Sequence, residues 1–275
     1  MVLQLLPIVM EQTHFALKGG TAINFFLRNL NRLSRDIDLS YVHIEDRDKS
    51  IRRISESLKT IASSIESKLV NVKITPKTAK NSNLWKGLII ERNGVFAKIE
   101  PNPVIRGTVF PCEFMELSPD AQDLFEMFVI VKTLSLPDLY GGKICAALDR
   151  QHPRDLFDIK LLVENEGLTD EIRKAFLVYL ISHNRPIHEL LDPGLLDMKN
   201  VFEVEFSGLT RETVSYEELV QVRGQLIEGI RNGLTNDEKE FLLSFKRLEP
   251  EWELLGIQGV QELPAVRWKL QNLGR

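Results

Sequence analysis

The stretch Lys18–Ser40, KGGTAINFFLRNLNRLSRDIDLS, decides the reading of this chain. Just before it, Phe15, Ala16 and Leu17 form a short apolar run that Gly19 and Gly20 cut, and beyond the glycines Ile23, Phe26, Leu27 and Leu30 recur at helical spacing. The predicted order is strand, glycine turn, helix. Glycine adopts positive φ without a steric penalty and lets an anion approach the backbone, Thr21 adds a hydroxyl, and the first helical turn adds N–H groups that have no partner within the helix. From position 36 onward, Asp36, Asp38 and Ser40 alternate with Ile37, Leu39 and Tyr41, so a strand here buries one set and presents both aspartates on its other face. Two carboxylates so close repel one another unless a cation sits between them, and beside phosphate the usual cation is Mg²⁺, with Mn²⁺ as a substitute. Gly19, Gly20 and Thr21 are therefore the candidate phosphate cradle, and Asp36 and Asp38 the candidate metal ligands. The bland alternative, a solvent-facing strand edge, leaves the neighbouring glycine turn unexplained.

Outward from this stretch, Ile51, Ile54, Leu58, Ile61, Ile65 and Leu69 step by three and four through an amphipathic helix between Asp48 and Leu69. Val70, Val72 and Ile74 then alternate as a strand, and Leu84–Glu91 and Val95–Glu100 flank Arg92-Asn93-Gly94, whose Asn-Gly is a hairpin signal. Glu100 ends the second hairpin strand. If that strand lies beside the Asp36 strand, Glu100 completes a triad of carboxylates able to hold two metal ions, the arrangement that moves a nucleotidyl group between oxygens. The other reading of Glu100 is an ion pair with Lys98 or Lys73 on a wet face.

A second landmark is Ser135–Leu162, SLPDLYGGKICAALDRQHPRDLFDIKLL. Ser135 and Pro137 open a helix whose buried side carries Leu139, Ile144 and Leu148; Arg150–Pro153 breaks it, and a second helix starts near Arg154 or Asp155. Gly141-Gly142-Lys143 is not a Walker loop, because Pro137 stands where that motif needs its first glycine. Lys143 is a candidate phosphate clamp or a surface lysine. For Asp155 the alternative to a functional role is an N-cap, and for Asp158 a salt bridge to Arg154; His152 is read as a turn residue. No Ser-His-Asp or zinc arrangement is visible.

The chain has 275 residues, 43% hydrophobic and 27% charged, with a net charge of -4, which describes a globular protein of two domains without the basic excess of a nucleic-acid coat. RNA contact, if any, is local: Arg28, Arg32 and Arg35 line such a path or solubilise a loop. The N-terminal MVLQLLPIVMEQTH has no basic n-region and is broken by Pro7 and Glu11, so neither a signal peptide nor a membrane span is expected. Cys112 and Cys145 imply no disulfide framework, in keeping with a reducing cytoplasm. Further helices are expected through Ile172–Ile181 and after Ser118-Pro119, and behind the capping boxes Ser215/Glu218 and Thr235/Glu238. Trp252 and Trp268 are read as packing residues.

Taken together, KGGTAINFF with RLSRDIDLS, KIE at 98–100, DLYGGKICAALDRQHPRDLFDI and the terminal LPAVRWKLQNL at 263–273 resemble the AbiEii/AbiGii-type nucleotidyltransferase toxins, relatives of the MenT toxins in the DNA polymerase β-like superfamily. The resemblance implies an α+β fold. A nucleotidyltransferase domain with a mixed sheet, placed at 1–116, would be followed by a mainly helical domain, 117–275, completing the active-site cleft. It further implies NTP as co-substrate, Mg²⁺ or Mn²⁺ as metal, transfer of NMP to an acceptor such as the tRNA 3′ end, no membrane, and a cognate AbiEi-type antitoxin. By position, Gly20 and Thr21 fall on the family's G-S/T element, Asp36 and Asp38 on its metal pair, Lys143 on its later lysine, and Asp155 or Asp158 on its last acidic position; Glu100 matches the superfamily's third carboxylate by strand order alone. A non-catalytic NTP-binding protein and a small-molecule nucleotidyltransferase of the antibiotic-modifying kind are the alternatives.

Overall fold

The computed structural model describes residues 1–80 and 82–274. By contact density the chain divides into two units, Met1–Ser135 and Leu136–Arg275. The first runs α1 (Val2–Met10), β1 (Phe15–Lys18), α2 (Gly19–Ala22, continuing as a π-helical turn Ile23–Leu27), β2 (Asp36–Tyr41), α3 (Arg47–Lys68), β3 (Val72–Thr78), β4 (Trp85–Arg92), β5 (Val95–Asn102), β6 (Glu113–Glu116), α4 (Pro119–Phe125) and β7 (Ile130–Thr133). Its strands form one sheet in the order β3-β4-β5-β2-β1-β7-β6, mixed because β2 pairs in parallel with β5 and β1 in parallel with β7 while the other neighbours are antiparallel.

The alternation read from sequence explains the central strands. Ile37, Leu39 and Tyr41 of β2 and Ala97 and Ile99 of β5 are buried, which leaves Asp36, Asp38, Lys98 and Glu100 together on the opposite face. Asn93 and Gly94 take φ of 51° and 76°, the geometry a two-residue hairpin needs, and join β4 to β5. Helix α3 lays Ile54, Leu58, Ile61 and Ile65 against the sheet, with Ser55 Oγ accepting from Trp85 N at 2.9 Å. Residues 117–135, grouped by sequence with the helical part, contribute α4 and β7, and β7 docks beside β1 with Thr133 opposite Leu17. Four residues are too few for periodicity to reveal such a strand.

The second unit is helical: α5 (Leu136–Arg150), α6 (Pro153–Asn165), α7 (Asp170–Ile181), α8 (Ile187–Leu191), α9 (Lys199–Val201, continuing as a π-helical turn Phe202–Phe206), α10 (Tyr216–Gly233), α11 (Asn236–Lys246), α12 (Trp252–Leu255) and α13 (Pro264–Leu273). Both expected capping boxes form, at Ser215/Glu218 and Thr235/Glu238. Helices α5 and α7 cross at Gly141, where an added Cβ would lie 2.8 Å from the backbone of Ala175 and Phe176. The glycine pair of DLYGGK thus serves helix packing. Trp252 stacks among Phe241 and Phe245, but Trp268 is 46% exposed and does not fill the core as its neighbours suggested. Lys269, one residue on, is buried and donates to the carbonyls of His183 and Arg185 at 2.8 and 2.7 Å. Among the described residues no helix is long and apolar enough to cross a membrane.

Candidate active site

The glycine turn and the acidic doublet meet. Strand β1 runs antiparallel to β2 with Lys18 opposite Asp38, so the helix that starts at Gly19 emerges directly beside the aspartates. Gly19 has φ +70°, and a Cβ built on it would fall 2.5 Å from Asp38 Oδ2, a contact that only glycine tolerates. A Cβ on Gly20 would meet Arg32 Nη2 at 2.6 Å and Ser34 Oγ at 3.3 Å. The turn is therefore packed between a carboxylate on one side and a guanidinium on the other.

Thr21 sits differently from the expectation of a phosphate-facing hydroxyl. It is fully buried, donates to the carbonyl of Asp36 at 2.5 Å and shares a hydrogen bond with Ser34 Oγ at 2.9 Å. Its hydroxyl has a structural use: it ties the helix start to the first residue of β2. Asn24 adds a second tie by donating to Gly20 O at 3.0 Å.

Arg28 and Arg32 are buried, so the sequence alternatives of an RNA path or a solubilising loop hold for neither; Arg35 alone of the three is exposed. Arg32 donates to Leu33 O at 3.0 Å and rests its guanidinium on Gly20. Ser34 is the residue that sequence reasoning passed over, and Arg32 was read there only as part of an RNA path or a solubilising loop. Both precede β2, which begins at Asp36, so the alternation of that strand gave no signal for them.

Glu100 stands on β5 in register with Asp38, as the triad reading required. Its carboxylate, however, is engaged by Lys77 at 2.5 Å, a partner neither of the sequence readings named. Among the described residues no group of three or more His, Cys, Asp or Glu side chains is placed to hold a metal ion. What remains fits one hard cation. Two aspartates on one strand face offer oxygen donors of the kind Mg²⁺ takes alongside waters and phosphate oxygens.

In the second unit, Lys143 Nζ lies 2.8 Å from Asp155 Oδ1 and 2.9 Å from Asp158 Oδ2, with all three side chains buried. Arg150 grips Asp155 through Nε at 2.5 Å and Nη2 at 3.0 Å. Burial alone would raise the Asp155 pKa, but Lys143 and Arg150 outweigh it and hold the carboxyl well below the usual range. The N-cap of α6 is His152, whose Nδ1 accepts from Arg154 N at 3.1 Å, so Asp155 is not the cap; Asp158 pairs with Lys143, where its bland reading named Arg154. Lys143 is no surface lysine. It is the centre of a buried ion cluster.

Comparison with known proteins follows the same lines. The family described as "Nucleotidyl transferase AbiEii toxin, Type IV TA system" matches residues 2–272. Among solved structures, MenT4, a nucleotidyltransferase toxin from Mycobacterium tuberculosis H37Rv, is similar with a TM-score of 0.63 at 15% identity, over 99% of this chain and 91% of that one. At that identity the likeness speaks for the fold. A search of curated proteins finds no match.

Proposed function

The chain belongs to the AbiEii family of nucleotidyltransferase toxins of type IV toxin–antitoxin systems, and from that premise we propose that it transfers NMP from an NTP, with Mg²⁺, to the 3′ end of a tRNA. The observation that supports the reading is the packing of Gly19 against Asp38, whose carboxylate fills the space a side chain at Gly19 would need, beside the first turn of the helix. Asp36 and Asp38 would hold the divalent ion. Once bound, that ion neutralises triphosphate charge and lowers the pKa of the attacking hydroxyl.

The chain's own residues do the positioning. The backbone of Gly19 and Gly20 admits phosphate closely, Arg32 supplies a fixed positive charge behind it, and Thr21 keeps the turn registered on β2. Acceptor attack on the α-phosphorus releases pyrophosphate, and most of the rate comes from orientation and charge neutralisation. We retain Lys143 as a candidate phosphate contact, with Asp155 and Asp158 as the carboxylates that aim its ammonium. A cytoplasmic location, where tRNA and NTP occur, and a cognate AbiEi-type antitoxin complete the proposal.

Incubation of the purified protein with total tRNA, Mg²⁺ and each α-labelled NTP in turn tests it. Label at RNA 3′ ends is the expected result. NTP binding with no pyrophosphate release would make the protein a nucleotide-responsive binder, and label appearing only on a small acceptor from a metabolite extract would make it a small-molecule transferase.

A further inference from the structure

We propose that Lys77 sets the metal stoichiometry of the site: its ammonium keeps Glu100 out of the metal's coordination, so that Asp36 and Asp38 alone bind the ion. This rests on the reading of the aspartates as the metal pair. Lys77 belongs to β3, an edge strand, and Glu100 to β5, with β4 between them. A side chain on β4 at that height would separate the two. The residue in register with Lys77 is Gly87, and a Cβ built there would lie 3.7 Å from both Lys77 Cδ and Glu100 Cγ. The missing side chain leaves a gap, and Lys77 crosses it to reach Glu100 Oε1 at 2.5 Å.

The consequence falls on the next strand. Glu100 stands opposite Asp38 on the same sheet face, about 4.8 Å of strand spacing away. Left unpaired, it would add a third negative charge and a third oxygen ligand to the aspartates, the condition under which carboxylates gather a second divalent ion. Paired with Lys77, which is itself only half-buried, it contributes neither. A fixed ammonium thus occupies the electrostatic role that a second cation would fill.

Mn²⁺ binding to the purified, nucleotide-free protein, followed by calorimetry and by loss of the free-ion EPR signal, tests the inference without recourse to activity. The wild type is expected to bind one ion, and D38N to lose it. K77M should bind Mn²⁺ about tenfold more tightly, with a second ion entering, because a carboxylate is released. G87V, which wedges the pair apart without touching either charge, should shift affinity in the same direction. K77R, which keeps the cation, and K77M/E100Q, which removes the released carboxylate, should both return to wild-type binding. Wild-type affinity and stoichiometry in both K77M and G87V overturn the role of Lys77 while leaving the aspartate site standing. Unchanged binding in D38N overturns the metal-site reading itself, and this inference with it.

Discussion

Asp36 with Asp38 and Asp155 with Asp158 are acidic pairs of similar spacing in opposite situations. The first pair sits half-buried on a sheet face beside a glycine turn, with its backbone held by Thr21. The second is sealed in a helical core, where Lys143 bridges both carboxylates and Arg150 grips one of them twice. One pair is reachable from solvent, and the other is neutralised inside a helical unit. The comparison teaches that the same residue type, two or three positions apart, can stand on a sheet face or within a helix core according to the charge that its neighbours bring to it.

The sharpest way to break this contrast is Lys143→Met. Removing the cation takes their shared partner from two buried carboxylates, and thermal and urea unfolding should show a loss of about 3–5 kcal/mol. A stability change near zero would mean that the cluster is not cohesive and that the two pairs are less different than their geometry. On the other side of the contrast, Gly19→Ala attacks the Asp36/Asp38 pair through its neighbour. The new methyl would fall 2.5 Å from Asp38 Oδ2 and push it aside, and displacing a reacting group by about an ångström costs on the order of 100-fold in rate, measured as labelled NMP transfer.

Gly141→Ala probes the helical unit without touching charge. Its Cβ meets the backbone of Ala175 and Phe176 at 2.8 Å, so α5 and α7 must separate, at about 1–3 kcal/mol by equilibrium unfolding. Transfer per folded molecule should fall less than in Gly19→Ala. The smallest effect is one of pH. Burial lowers the pKa of His152 and His183 from their ordinary 6.5. The unfolded chain therefore binds protons that the folded one refuses, so stability is complete above that value and declines as pH falls below it. Asp155, held lower still, adds its loss only in strong acid. Melting scans from pH 8 to 5 should show a shallow fall beginning near pH 6.5; a rise instead would mean that these histidines gain protons on folding.

Much of this was readable from residue order, and the limits have physical causes. Period-two alternation located β2 and β5, helical stripes located α3 and α7, and the capping boxes marked the starts of α10 and α11, because each signal is local. The meeting of Gly19 with Asp38 was inferable from strand-turn-helix order. Lys77 was not, because its partner depends on strand order across β4 and on a side chain that Gly87 lacks. Thr21 was assigned to phosphate because a hydroxyl after two glycines invites it, yet a hydroxyl inside a packed turn finds the nearest carbonyl first. Strand β7 escaped notice for its brevity, and Trp268 shows that aliphatic neighbours in sequence do not guarantee burial.

The central claim is that the Asp36/Asp38 pair performs the chemistry, and Asp38→Asn tests it most directly. Transfer of α-labelled NMP to tRNA should be compared in wild type and variant, each with its melting curve. The account predicts a loss of at least about 1,000-fold with the melting transition essentially unmoved. Transfer at the wild-type rate by a folded Asp38→Asn protein would contradict it.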